Sequence, residues 1–293
     1  MTDSYQPEEV PLKLHRKPHR LFRRLMENPL SAIGTLVVGL AILAAICAPL
    51  VAPFDPVAMA PQDRLLAPST LHWFGTDDNG RDIWSRVLFG TRYSLLSALG
   101  ILVMASTLGT IVGLIAGLFG GWVEEVLMRL TDMFLAFPAL VLAMGLAAAI
   151  GPSLFNAVIA TVLVWWPWYA RLVRGQTLQL KQAAFVEAAV IAGASWPRIA
   201  VHHILRNCLT PLIVQVSLDI GYAVLTLAGL SFIGLGAQPP APEWGSMVSV
   251  GRDYFLDQWW MVTFPGLAIF ISVMAFNLLG DGLQEVLSPR ARR

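Results

Sequence analysis

Read for its runs of apolar and polar residues, the chain divides into six long apolar stretches separated by polar segments of uneven length. The stretches cover 31–52, 94–119, 130–150, 154–170, 209–235 and 260–280. Each has at least the roughly 17 residues that a helix needs to cross a hydrocarbon core about 30 Å thick. The pattern predicts an all-α membrane protein with six transmembrane helices. The first stretch follows a basic leader of 30 residues and is itself 22 long, too long on both counts for a cleaved signal peptide. It reads as a retained anchor. Ahead of it, Leu21, Phe22 and Leu25 fall on one helical face with arginines opposite, the pattern of a short helix lying on the inner leaflet. Residues 1–15 read as a disordered tail.

Orientation follows from the basic residues. With the N-terminus inside, the cytoplasmic side collects fifteen of the twenty Lys and Arg residues, and the other side keeps Arg64, Arg81, Arg86, Arg92 and Arg252. Both termini are therefore expected in the cytoplasm. Composition agrees with a lipid-facing surface: 56% of the 293 residues are apolar and 13% charged, against about 25% charged in soluble domains. The mean hydropathy is +0.64. Cys47 and Cys208 both read as small apolar side chains rather than a disulfide pair.

Within the stretches, a few residues break the apolar pattern. Gly109, Gly113, Gly117 and Gly121 recur at steps of four and mark a face where another helix can come close, in this chain or in a neighbouring subunit. Pro138, Pro167, Pro211 and Pro265 each predict a kink or a helix end. Trp165, Trp166, Trp168 and Tyr169 read as an aromatic belt at the inner interface. Asp132 and Asp281 sit near cytoplasmic ends, the former within reach of water or Arg129. Asp219 is the one ionisable residue near mid-membrane. It reads either as the lining of a polar transport path or as a hydrogen-bonding group inside the bundle.

No catalytic set stands out. None of the three lysines follows a glycine, so there is no phosphate-binding G-x-x-x-x-G-K-[ST] loop, and neither G-x-S-x-G nor H-E-x-x-H occurs. Adjacent His202 and His203 would point about 100° apart on a helix, which suits a metal poorly. One isolated acid cannot relay protons, which argues against an ion-coupled transporter, and no N-P-A pair suggests a water channel. No enzyme activity, cofactor, metal or nucleic acid is expected.

The polar segment 173–208 has helical periodicity, unlike an ordinary connecting loop. Residues 182–192 are rich in Ala, which favours helix; Gly193 suits a left-handed helix stop; Ser195 can cap a second helix with Pro197 in its first turn. Glu187-Ala188-Ala189, then Gly193 after three residues and Leu205 further on, resembles the EAA loop of the permease subunits of bacterial ABC importers. His203 and Arg206 depart from that pattern, standing where it has an apolar residue and a proline. The first external loop carries Phe74, Gly75, Thr76, Asp77, Gly80, Arg81, Asp82, Ser85, Arg86, Gly90, Arg92, Ser94 and Leu95 at the spacing F-G-T-D-x-x-G-R-D-x-x-S-R-x-x-x-G-x-R-x-S-L. This resembles the signature of C-type permeases from dipeptide, oligopeptide and nickel importers.

The resemblance implies a type I ABC importer permease fold and a division of the chain. A tail and interfacial helix (1–30) precede the first transmembrane helix (31–52) and an external loop (53–92). The transmembrane core (93–285) contains the cytoplasmic docking loop (173–208), and a cytoplasmic tail (286–293) follows. It implies Glu187, Ala188, Ala189, Gly193 and Leu205 as the ATPase-docking residues; Asp219, singled out by its depth and not by the resemblance, keeps its two readings, path lining or support inside the bundle. The implied partners are a second, homologous permease forming a heterodimer, two cytoplasmic ATPase subunits, an external solute-binding protein and membrane lipid. The implied cargo is di- or oligopeptides; nickel or glutathione is the alternative within the family, and a stand-alone channel, an ion-coupled transporter or an exporter subunit the alternative outside it.

Overall fold

The computed structural model describes residues 25–287; the basic 18–26 helix expected from the sequence lies mostly outside them. Among the described residues the chain is helical, with one isolated β-bridge between Thr76 and Asp82. The helices are α1 (Pro29–Val51), α2 (Ile83–Phe119), α3 (Gly121–Leu135), α4 (Ala139–Ile150), α5 (Leu154–Lys181), α6 (Ala184–Ile191), α7 (Trp196–Phe232), α8 (Trp244–Gly251) and α9 (Trp260–Leu287).

Four of these, α1, α2, α7 and α9, are long and apolar enough to cross a membrane. The 130–150 stretch is not one straight span. It breaks between α3 and α4, which meet at 90°. The cause is Pro138, whose extended backbone starts α4 and whose ring excludes α-helix at Phe137. Counted as one crossing, the bent pair makes five. The 154–170 stretch lies within α5, which is long enough but carries Arg171, Arg174 and Lys181 in its last turns. Pro167, Pro211 and Pro265 lie inside helices and end none of them.

The glycine stripe packs within the chain. A methyl carbon on Gly109 would stand 2.5 Å from the Trp166 carbonyl oxygen, and one on Gly113 would stand 2.4 Å from that of Ala170. Small residues thus let α2 and α5 touch backbone to backbone, where dispersion rather than water exclusion holds helices together. Gly121 is no part of this face; it has φ +55° and open space around it, serving the turn into α3. Trp165, Trp166 and Tyr169 are buried, and only Trp168 of that cluster is exposed. The cluster is therefore bundle core rather than an interfacial belt, because α5 continues well past residue 170.

Two arginines tie α5 to α3: Arg171 pairs with Asp132 and Arg174 with Glu124. Arg129 pairs instead with Glu125, one turn away on its own helix, so Asp132 finds its cation on α5 and not on Arg129.

Candidate functional site

The 173–208 segment contributes most of its length to α5 and α7, leaving 182–195 as the exposed turn between them. Ala184–Ile191 forms the short helix α6. It ends in a full left-handed stop: Gly193 has φ +78°, its N–H donates to the Val190 carbonyl, and the Ala194 N–H donates to that of Ala189. Ser195 caps α7 through its backbone, accepting from the Ile199 N–H, and not through its side chain.

Apolar anchors hold this turn on the bundle. Val186, Ile199 and Ile204 are buried, with Phe185, Ala189 and Ala194 packed against them. The Lys181 ammonium donates to the Leu118 carbonyl at 2.7 Å and lies 5.5 Å from the Trp196 ring, fixing both sides of the turn to the end of α2. The opposite face is open and apolar. Ile191 is 80% exposed, and Val190, Trp196 and Val201 are exposed beside it. Glu187, Ala188 and Gly193 are exposed on this turn, whereas Ala189 faces the bundle and Leu205 is half-buried. Glu187 makes no ion pair among the described residues.

Both departures from the family pattern are accommodated. His203 is half-buried with its ring 6.4 Å from that of Phe185, filling space as an apolar residue would. Arg206 is exposed, and the helix runs through it unbroken. The adjoining Ala200–Leu205 turn is wide, a π-helical segment, and the Asn207 side chain donates to the His203 carbonyl at 2.6 Å there.

Asp219 lines an open cavity of about 620 Å³ between α5 and α7, reached also from Ala139 on α4. Its carboxylate accepts from the Tyr169 hydroxyl at 2.7 Å and from the Gln215 amide at 3.0 Å. The two readings of Asp219 are thus not exclusive: the residue is hydrogen-bonded within the bundle and borders a cavity. From the sequence Tyr169 reads only as part of an aromatic belt, and Gln215 does not stand out. The i, i+4 spacing of Gln215 and Asp219 on a helix was the available signal.

The signature residues of the 53–92 loop and the start of α2 turn inward. Asp77 accepts from Arg81 at 2.7 Å and lies 3.6 Å from Arg86, with all three buried. Arg86 also donates to the carbonyls of Pro56 and, at 3.3 Å, Pro240. Asp82 starts α2, accepting from the Ser85 N–H and hydroxyl, and its other oxygen meets His72 at 3.0 Å. The Thr76 carbonyl accepts from the Trp260 indole at 3.2 Å. Gly75 and Gly80 take φ +74°, and a side chain on Gly80 would collide with the Ala60 carbonyl. The signature is a buried clamp that pins the 53–82 loop across the ends of α2, α8 and α9. Glu243, also unremarked in the sequence, joins it: fully buried at the start of α8, it accepts from the Ser246 N–H at 2.9 Å and from Ser94.

Comparison with known proteins supplies the family. Residues 109–293 match the family described as binding-protein-dependent transport system inner membrane component. Residues 19–68 match the N-terminal TM domain of oligopeptide transport permease C. The chain is 48% identical over 272 residues to the probable D,D-dipeptide transport system permease protein DdpC of Escherichia coli K12, covering 93% of this chain and 91% of that one. It is 44% identical to the dipeptide transport system permease protein DppC of Alkalihalophilus pseudofirmus, covering 92% and 89%. It is 42% identical to the nickel transport system permease protein NikC of Escherichia coli K12, covering 88% and 93%. With its long apolar helices and its two family matches, the chain belongs to the inner-membrane permeases of binding-protein-dependent ABC importers, in the C-type branch that serves dipeptide, oligopeptide and nickel systems.

Proposed function

We propose that this chain forms one half of a path for small peptides across the cytoplasmic membrane and couples that path to a separately made ATPase through its 182–195 turn. The observation that carries the coupling is the turn itself. It is fixed to the bundle by Val186, Ile199 and Lys181, yet it presents Val190, Ile191 and Trp196 outward with no cover among the described residues. An apolar patch held rigidly in place suits a protein partner. Gly193 and Ala188 keep one side of it thin, and Glu187 offers an acceptor to a basic group. Two ATPases, a homologous second permease completing a heterodimer, and an external solute-binding protein are the partners that family membership implies.

In this reading the chain crosses the membrane six times, with the bent α3–α4 pair and α5 each counted as a crossing, and both termini are cytoplasmic. The basic asymmetry supports that orientation. The Asp219 cavity belongs to the path. ATP binding draws the ATPases together, moves the docking turns and opens the path outward; hydrolysis resets it. The dipeptide systems among the relatives support a peptide cargo.

The test is uptake. A strain lacking its own peptide permeases, expressing this chain with its genomic neighbours, accumulates labelled dipeptide, and omitting this chain abolishes accumulation. Accumulation of labelled nickel with no dipeptide uptake would replace the cargo. A reporter active only outside the cytoplasm is active when fused after Asp77 and silent after Lys181; the reverse would refute the orientation.

A further inference from the structure

The Asp219 cavity has a chemical preference that its membership of a peptide path does not by itself require. Asp219 uses one oxygen for Tyr169 and the other for Gln215, both uncharged donors. A carboxylate has about four acceptor positions, so both oxygens keep capacity. Among the described residues no Lys, Arg or His forms an ion pair with it. The basic residue on the lining, Arg171, is paired with Asp132. The cavity therefore carries one uncompensated negative charge.

Its lining also includes the aromatic side chains of Trp165, Trp168 and Tyr222. Trp165 and Tyr222 stack at 5.4 Å between centroids, and Trp168 and Tyr222 are both more than half exposed toward open space. Aromatic faces are electron-rich and attract cations, most strongly where water is scarce. Asp219 lies thirteen residues inside the outer end of α7, about 20 Å down the helix, where an unpaired charge is costly and a counter-charge is worth most. A carboxylate held by neutral donors beside tryptophan and tyrosine faces fits an ammonium group and repels an anion.

The geometry points to a transit site for a substrate's ammonium group, which a peptide with a free N-terminus supplies, formed by Asp219, Tyr222 and Trp168. This rests on the reading of the cavity as part of the path.

The experiment uses the whole transporter in membrane vesicles, with Cys47 and Cys208 replaced by alanine and a single cysteine introduced as Tyr222→Cys. Thiol modification is timed with a cationic ethylammonium methanethiosulfonate and an anionic ethylsulfonate one, each rate divided by that for a small thiol in water. The cationic reagent is expected to be favoured by roughly tenfold, and adding Asp219→Asn to bring the ratio close to one. Trp168→Cys repeats the test should Tyr222→Cys fail to assemble. Equal normalised rates would overturn the ammonium site and leave the path reading intact. A cationic preference untouched by Asp219→Asn would overturn the role of Asp219. Protection of both cysteines from both reagents would overturn the path reading as well.

Discussion

Gly113 on α2 and Ala170 on α5 meet at a separation that no side chain can enter: a methyl carbon on Gly113 would lie 2.4 Å from the Ala170 carbonyl oxygen. Gly113→Val must therefore separate the two helices or distort one, at a cost of about 1–3 kcal/mol or more. The expected outcome is a lower unfolding temperature and loss of the monodisperse detergent-solubilised peak. Gly100, on the same helix with nothing nearby, is the control; Gly100→Ala should leave the peak intact and stabilise slightly.

At the docking turn the structure separates two alanines that the sequence treats alike. Ala188 is exposed and Ala189 packs inward. Ala188→Trp should block an ATPase by bulk alone, abolishing uptake and ATPase co-purification while unfolding temperature and membrane insertion stay at wild-type values. Ala189→Trp should also lower the unfolding temperature, because it overfills the anchor beneath α6.

Gly193→Val puts a β-branched residue at φ +78°, a conformation such residues avoid. It should disorder the α6–α7 turn, read as faster proteolysis there, with uptake lost and helix content unchanged.

In the signature clamp, Asp77→Ala would leave Arg86 buried without its carboxylate and Arg81 with only Asp78, 3.6 Å away. Removing one partner of a buried pair costs about 3–5 kcal/mol. The expected result is proteolysis within 53–82 and poor recovery of assembled transporter, whereas Arg252→Ala, at an exposed pair, should change stability little.

Glu243 gives a pH dependence with a definite sign. Burial raises its carboxyl above the ordinary 4.5, against the lowering effect of the Gly245 and Ser246 N–H groups and the Ser231 and Ser94 side chains. A raised folded-state value means that the folded protein holds the proton more tightly than the unfolded chain. Its contribution is complete below pH 4.5 and is lost as pH rises through the folded value. Unfolding temperature should thus carry a falling component above pH 4.5. Glu243→Gln, which keeps an oxygen for the Ser246 N–H, should remove that component; an unchanged pH profile would refute it.

The long apolar runs made α1, α2, α7 and α9 legible, because lipid exposure leaves a continuous signal that needs no partner to read. Gly193 was legible for a local reason: a helix stop is written in one residue. The break at Pro138 could be read only as a kink or an end, since the 90° turn depends on how α4 packs against α5. The aromatic cluster on α5 was misplaced because hydropathy marks where the apolar run ends at residue 170, not where the helix ends at Lys181. The signature residues could be found but not oriented; that Asp77 meets Arg81 and Arg86 indoors depends on a loop folding back onto α2. Tyr169 and Asp219 are fifty positions apart, and their hydrogen bond follows from helix packing that no local pattern encodes.

One helix, α7, begins at Trp196 on the exposed turn and continues without a loop past Asp219 to Phe232. From Trp196 to Asp219 is 23 residues, about 35 Å of axle. A rigid axle passes on rotation as faithfully as push. Twisting its exposed end swings Asp219 around the same axis, toward or away from Tyr169, without any change in the length of the helix. With Pro211 beyond it, the wide Ala200–Leu205 turn is a stretch of loosened winding on the way. Its stiffness therefore sets how much of a twist applied at Trp196 arrives at the cavity and how much is absorbed before it gets there.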